Sequence, residues 1–298
     1  AQNPFRCDSA GATCSSLIDY VSPNATTLSS IQSLFNVESL ASILGANNLP
    51  ISTPSHRPVA SGETIRIRFP CTCTNGTGVS DRTPVYTVVP NDGLYHIAAE
   101  IFSGLVTYPE IQAANGIANP QLIYVGQKLW IPLPCSCAEV DGREVVHYGH
   151  VVAKGSTVAG IAQQFGTAED TLLKLNNLSS PQDLLAGAVL DVPLAACNSS
   201  VYSSSPDYPL LIPNDTYAFT AGGCVRCACN AASSWNLQCS PSSGSGSCPA
   251  SIGCPAGRNS TYLGLGNSSI SGCDRTTCAY AGYHSRTVLT TLDVESTC

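Results

Sequence analysis

A pattern of about fifty residues, written three times and punctuated by Cys-X-Cys, constrains this chain more than anything else in it. Each copy runs apolar strand, short polar loop, helix, a second helix ending near Asn, loop, Gly, apolar strand, Pro. The second copy is the clearest. It opens on Val85-Tyr86-Thr87-Val88-Val89 and closes on Lys128-Leu129-Trp130-Ile131-Pro132-Leu133-Pro134. Cys71-Thr72-Cys73 precedes it and Cys135-Ser136-Cys137 follows. Periodicity of this kind settles the architecture before any residue-level argument. The copies fall at 16–71, 83–135 and 146–197, behind an N-terminal Cys segment (1–15) and ahead of a Cys-rich region (198–298). A βααβ unit this small has little room for a buried active site. Function is therefore expected in a surface groove of a binding scaffold.

The copies align by spacing. The first helices share Leu28-x-x-Ile31, Leu94-x-x-Ile97 and Val158-x-x-Ile161, an i, i+3 pair on one helical face. Phe35, Phe102 and Phe165 follow. The second helices place Ile43, Ile111 and Leu172 four residues before Asn47, Asn115 and Asn176. Asn tolerates the left-handed conformation that often closes a helix. Gly62, Gly126 and Gly187 precede strands of period two: Ile65/Ile67/Phe69, Leu129/Ile131/Leu133 and Leu190/Val192/Leu194. These positions define the fold, and the ligand signal has to come from the loops.

The chain has no methionine, even at position 1, which is read as a removed signal peptide before Ala1-Gln2. Its sixteen cysteines, an even number, imply an oxidising compartment and a disulfide framework. Sequons at Asn24, Asn75, Asn177, Asn198, Asn214, Asn259 and Asn267 imply a glycosylated surface. Only 11% of residues are charged, the net charge is −7, and the lysines are Lys128, Lys154 and Lys174. That composition excludes nucleic acid as a partner, because no basic footprint exists to neutralise phosphates. It suits a neutral ligand rich in hydroxyls and amides. No stretch reaches the roughly 18–20 apolar residues that span a bilayer.

The residues Tyr86-Thr87-Val88-Val89-Pro90-Asn91-Asp92-Gly93-Leu94-Tyr95-His96-Ile97-Ala98, the helix-ending Asn115 and Val125-Gly126-Gln127-Lys128-Leu129-Trp130-Ile131-Pro132-Leu133-Pro134 resemble a lysin motif, or LysM. Three such motifs with Cys-X-Cys linkers and a Cys-rich C-terminal part resemble the plant LysM receptor-like proteins that lack a kinase and sense chitin or peptidoglycan. The resemblance spans essentially the whole chain. The first copy departs most: it lacks the Gly-Asp of the first loop and has a longer second loop. The resemblance implies an α+β fold of three tandem βααβ LysM units clamped by disulfides, followed by a disulfide-rich irregular and β domain. The six cysteines around the copies allow fifteen pairings, and spacing does not choose among them. The resemblance implies Cys7–Cys73, Cys14–Cys137 and Cys71–Cys135.

Rival chemistries find little support. Cys224-x-x-Cys227-x-Cys229 has a spacing that zinc could use, but an exported chain with an even cysteine count points to disulfides. His147 and His150 lie three apart on a predicted strand, hence on opposite faces, so one ion does not suit both. No metal or cofactor is implied. There is no Gly-x-Ser-x-Gly elbow, no His-Glu-x-x-His and no phosphate loop. Asp92, Glu100 and Glu110 are carboxylates, but Asp92 stands where a helix N-cap is expected. The chain is read as a non-enzyme.

In LysM families the two loops of each unit form a groove for N-acetylglucosamine, and the resemblance implies the same here. The middle copy matches best. Its first loop, Pro90, Asn91, Asp92, Gly93 and Leu94, faces its second, Gly116, Ile117, Ala118, Asn119, Pro120 and Leu122. Ile117 and Ala118 are expected to line an acetyl-methyl pocket, with Asn91, Asp92 and Gly93 opposite. Loop amides that read the acetamide would reject plain glucose polymers by leaving their own polar groups unpaired. Sequons beside the other grooves, Asn24 and Asn177, also favour the middle copy. The expected function is a cell-surface pattern-recognition receptor for chitin or peptidoglycan oligosaccharides in innate immunity. It would signal through a partner LysM receptor kinase, form a homodimer bridged by long ligands, and be held outside the plasma membrane by a GPI anchor whose signal is absent from this sequence. The alternatives are a targeting module of a cell-wall hydrolase and a secreted chitin-sequestering effector.

Overall fold

The structure, a computed structural model, describes residues 5–7, 10–74, 76–242, 248–255, 262–285 and 287–298. The sequons Asn75 and Asn259 lie outside the described residues, as do Ala1-Gln2 and most of the Ser/Gly run at 240–247. The chain divides into two units, Ala1–Ala195 and Ala196–Cys298.

The first unit contains three βααβ copies. The first has β1 (Thr13–Val21), the short β2 (Thr26–Thr27), α1 (Leu28–Leu34), α2 (Leu40–Ala46), β3 (Pro58–Val59) and β4 (Thr64–Thr74). A linking strand β5 (Thr77–Ser80) leads to β6 (Val85–Thr87), α3 (Leu94–His96, running on as a π-helical turn over Ile97–Ile101), α4 (Tyr108–Ala114) and β7 (Lys128–Trp130). Then β8 (Pro134–Cys135) leads to β9 (Val146–Val151), α5 (Val158–Phe165), α6 (Glu169–Leu175) and β10 (Val189–Leu194). Within each copy the outer strands pair antiparallel, with Ile18 opposite Ile67, Tyr86 opposite Leu129 and Tyr148 opposite Val192.

The copies do not stay separate. β1 also pairs with β9, in parallel, placing Leu17 beside Tyr148. Copies one and three thereby share a six-stranded sheet of order β10-β9-β1-β4-β5-β8, and the middle copy keeps its own β6-β7 pair. Alternation then puts Ile18, Tyr20, Ile65 and Ile67 on one face of the shared sheet and Tyr148, Leu190 and Val192 on the other. Gly149 fits the seam because a Cβ there would come within 3.0 Å of Ile18 and 3.1 Å of Val189. Asp19, buried, crosses from copy one to copy three: its carboxylate accepts from the Tyr148 hydroxyl, faces His150 Nδ1 at 2.9 Å and accepts from the Val151 amide at 3.3 Å.

One aromatic position recurs in all three copies. Tyr20, Tyr86 and His150 are each the next-to-last residue of their opening strand and lie against the phenylalanine of their own copy. The ring centroids are 5.1 Å apart for Tyr20–Phe35, 6.0 Å for Tyr86–Phe102 and 5.2 Å for His150–Phe165. Phe35 in turn meets Phe102 at 5.7 Å, joining the first two cores.

The three asparagines do something other than adopt the left-handed conformation. Asn47, Asn115 and Asn176 have φ of −106°, −105° and −98°. The left-handed residues are the next ones, Asn48, Gly116 and Asn177. Each helix-ending Asn instead clamps its helix to its last strand. The side chain of Asn176 donates to the Leu172 and Asp191 carbonyls and accepts from the Asp191 amide; Asn47 and Asn115 repeat this on Ile43/Arg66 and Ile111/Trp130.

Disulfides fasten the same unit. Cys7 bonds Cys73, Cys14 bonds Cys137 and Cys71 bonds Cys135. Beside them His147 is buried, with Nδ1 2.9 Å from both Asp191 oxygens and Nε2 2.8 Å from the Ala138 carbonyl. Both ring nitrogens face acceptors, so the ring is held as an imidazolium. Burial works against that charge, but Asp191 and then the Ala138 carbonyl outweigh it and raise the His147 pKa. Burial moves the Asp191 carboxyl upward as well, so the pair as a unit keeps its proton to higher pH.

The second unit is mostly β and irregular. It contains β11 (Thr216–Thr220), β12 (Val225–Cys229), β13 (Gln238–Pro241), β14 (Gly253–Cys254), β15 (Leu263–Gly264), β16 (Ser268–Ser271), β17 (Asp274–His284) and β18 (Thr287–Ser296). These form sheets β11-β12-β13, β14-β15 and β16-β17-β18. Its core is small, built on Val201, Val225, Ile252, Leu265 and Tyr280 with the cystines. Its disulfides are Cys197–Cys229, Cys224–Cys248, Cys227–Cys239, Cys254–Cys278 and Cys273–Cys298. Cross-links that restrict the unfolded chain suit a domain with so little core.

Two outcomes are expected. Asn176→Ala removes one side chain but strands a buried carbonyl and amide of Asp191, so chemical denaturation should show a loss of about 2–4 kcal/mol. An unchanged midpoint contradicts the clamp. A pKa raised in the folded state contributes stability below the ordinary imidazole value of about 6.5 and loses it as pH rises through the folded value. The thermal midpoint should therefore fall as pH rises above about 6.5. A His147→Gln/Asp191→Asn double variant should fall less steeply, and equal slopes would remove the pair as the cause.

Candidate functional site

Two backbone bonds hold the two loops of each copy side by side. In the middle copy the Gly126 amide donates to the Val88 carbonyl at 2.8 Å, and the Val88 amide to the Gln127 carbonyl at 2.9 Å. Ser22 with Gly62 and Glu63, and Val152 with Gly187 and Ala188, repeat this in the outer copies. The three glycines have φ of +82°, +88° and +83°, which a residue with a Cβ adopts only at a cost. The geometry thus builds three equivalent grooves, and the differences lie in what fills them.

The first groove is closed by its own chain. Its long second loop zips against its first, with β2 pairing β3, and against the start of α1, where Leu28 and Ser29 donate to the Arg57 and Ser55 carbonyls at 3.1 and 2.8 Å. Among the described residues no such bond ties the second loop of the middle copy to the first turn of α3. In the third copy the left-handed residue that closes α6 is Asn177, exposed and the acceptor of a sequon.

The middle groove stays open and carries exposed apolar side chains on both loops. Val89 is 48% exposed, Leu122 72%, Tyr124 68% and Val125 61%. The outer copies expose Ile51 and Leu185 in the corresponding loops. Of the site residues expected from sequence, Pro90, Asn91, Ala118 and Asn119 are exposed, and Gly93, Gly116, Pro120 and Leu122 are at or near the surface. Leu94 is buried in the core and reaches the groove only by its backbone. Ile117 is half-buried. Its amide donates to the Gln112 carbonyl at 3.0 Å while Gly116 donates to Ala113, which is the Schellman closure of α4. Asn119 makes an Asx turn onto the Gln121 amide at 3.0 Å. Val89, Tyr124 and Val125 were not read as site residues. Their signal is present as apolar residues beside turns, but Val89 reads as the end of the opening strand, and Tyr124 and Val125 as the approach to the closing one.

Asp92 departs from the expected N-cap. The N-cap of α3 is Gly93, which has no capping side chain, whereas Thr27 and Thr157 cap α1 and α5 with their hydroxyls. The Asp92 side chain is 2% exposed and turns back. One oxygen accepts from both the Tyr86 hydroxyl and the Val89 amide at 2.8 Å, and the other lies 3.6 Å from His96. Burial, then the bond to Asp92 and its charge, push the Tyr86 phenol above its ordinary range. Pro90 and Asn91, with φ +72° at Asn91, form the intervening turn, closed by the Asp92 amide on the Val89 carbonyl at 3.2 Å.

Nothing in the groove presents a nucleophile with a base or two facing carboxylates. The sulfurs of Cys224, Cys227 and Cys229 are each committed to a different disulfide, and His147 and His150 bond to different aspartates. The group Cys14, Cys71 and Cys137, whose sulfurs lie within 4.8 Å of one another, is likewise fully disulfide-bonded. Among the described residues no helix is long and apolar enough to cross a membrane.

The second and third copies match the LysM domain family, over residues 86–132 and 150–193. The chain is 47% identical to LysM domain-containing GPI-anchored protein 2 of Arabidopsis thaliana, across 96% of this chain and 81% of that protein. It is 46% identical to the chitin elicitor-binding protein of Oryza sativa subsp. japonica, across 94% of this chain and 77% of that one. The crystal structure of a receptor-like kinase ectodomain shares its fold, with a TM-score of 0.52 at 21% identity, over 62% of this chain and 92% of that chain. The chain belongs to the family of plant LysM domain-containing GPI-anchored proteins.

Proposed function

We propose that this chain is the ectodomain of a plant cell-surface receptor that reads N-acetylglucosamine polymers in the groove of its middle LysM. The observation that supports this most is the open middle groove with its exposed apolar rim, beside a first groove filled by its own loop. Apolar side chains suit the acetyl methyl and the faces of sugar rings, and loop amides suit the acetamide. The rice relative's name, a chitin elicitor-binding protein, favours chitin as the polymer; peptidoglycan presents the same sugar. Glycans on Asn24 and Asn177 would crowd the outer grooves further, and Asn198, Asn214 and Asn267 are further candidate acceptors. A GPI anchor, as in the relatives' names, would hold the receptor at the outer face of the plasma membrane. A LysM receptor kinase as partner would carry the signal inward.

Calorimetry with chito-oligomers and with muropeptides tests the reading. Leu122→Ser/Tyr124→Ser, which alters only exposed side chains, should weaken octamer binding by about tenfold or more and leave the thermal midpoint in place. Ile117→Asp should weaken it too. Undiminished binding by both variants would remove the middle groove as the site. A shallow groove buries little, and a long polymer gains by engaging two receptor molecules at high effective concentration. The octamer should therefore bind far more tightly than the disaccharide and yield a 2:1 complex in sedimentation. Equal affinities with a 1:1 complex would count against bridging. Turnover of either polymer by the pure chain would instead establish a hydrolase.

A further inference from the structure

We infer that Tyr86 and Asp92 are positioning residues of the middle groove, a phenol–carboxylate lock that fixes the path of its first loop while neither group touches the ligand. The inference rests on the reading of that groove as the binding site.

The recurring aromatic position carries the argument. In copy one the Tyr20 ring packs on Phe35, and its hydroxyl reaches out of the copy to the Ile101 carbonyl, at 3.1 Å. In copy three the His150 ring packs on Phe165, and its Nδ1 reaches out to Asp19 of copy one, at 2.9 Å. Both outer copies therefore use the polar tip of this residue to hold a neighbour. Only in the middle copy does the tip turn inward: Tyr86 packs on Phe102 and donates to Asp92, inside its own first loop.

The chemistry of the loop explains why an anchor is placed there. Gly93 at the N-cap offers no side chain to steady the helix start, and a Cβ at that position would meet no atom within 4 Å. Asn91 holds a left-handed φ of +72°, and the loop has no zipper from the second loop such as stabilises copy one. A carboxylate oxygen shared by a phenol and a backbone amide supplies two charge-assisted bonds, which are stronger than neutral ones. Because the side chain of Asp92 is 2% exposed, it serves as a strut inside the wall and not as the wall. The phenol in turn stands on the aromatic row Phe102–Phe35–Tyr20, so the loop is referenced to the cores of the first two copies.

The test combines hydrogen exchange with binding, on the whole chain. Tyr86→Phe keeps the ring and loses the hydroxyl; Asp92→Ala loses the acceptor; Asp92→Asn keeps an oxygen that accepts both bonds. Tyr86→Phe should speed amide exchange over residues 89–94 and weaken chito-octamer binding about tenfold, the size of one charge-assisted bond, and Asp92→Ala, which also strands the Val89 amide, should do both at least as strongly. The double variant should be no worse than Asp92→Ala alone, because that single already removes the bond Tyr86→Phe removes. Asp92→Asn, which keeps the acceptor and loses the charge, should fall between the parent and Asp92→Ala. Unchanged exchange in Tyr86→Phe overturns the lock. Faster exchange with undiminished binding overturns the positioning role, and Asp92→Asn binding as poorly as Asp92→Ala would put the carboxylate charge on the ligand instead. A parent chain that binds no octamer defeats the groove reading, whereas a parent that binds and variants that match it defeat the lock alone.

Discussion

A βααβ unit of some fifty residues offers too little interior to offset its own chain entropy, and the structure answers that constraint by having the copies lend one another surface. The parallel pairing of β1 with β9 is the central case. It turns two small antiparallel pairs into one sheet, and Asp19 seals the seam with bonds to Tyr148, His150 and the Val151 amide. The middle copy joins by another route, through aromatic contacts and the Tyr20 hydroxyl. The first copy's groove is filled by its own second loop, while among the described residues no such bond ties the second loop of the middle copy to its first helix.

The repeat itself was legible from spacing, since i, i+3 helix pairs and period-two closing strands survive divergence. The shared sheet was not, although β1 carried a hint. Its run Ser16-Leu17-Ile18-Asp19-Tyr20 is buried at every position. A strand covered on both faces loses the alternation that marks a half-buried one. Lys128-Leu129-Trp130 of β7, in its two-stranded sheet, still alternates between exposed and buried. Reading each copy as closed on itself hid the partner that buries the second face.

Side-chain roles were harder to read than positions. Asn47, Asn115 and Asn176 looked like left-handed caps because asparagine does that often, yet each uses an amide to stitch helix to strand, and the next residue takes the positive φ. Asp92 looked like an N-cap or a groove wall and proves to be turned inward, a direction that no local pattern encodes because its partner Tyr86 sits on the far side of a turn. Cysteine pairing was also beyond spacing: fifteen arrangements fit, and resemblance alone had favoured one. The loop residues Val89, Tyr124 and Val125 were hidden by their resemblance to strand.

The shared sheet also dictates an order of assembly. β1 emerges early in synthesis, but the strand it needs on one side lies beyond residue 145, and the cysteine that bonds Cys14 is 123 residues downstream. At about 5–20 residues per second, β1 waits roughly 6–25 seconds with one edge bare and one thiol free. A bare edge invites pairing with another chain, and a free thiol invites bonding to the wrong cysteine. The first copy is thus the first to be made and among the last to be finished.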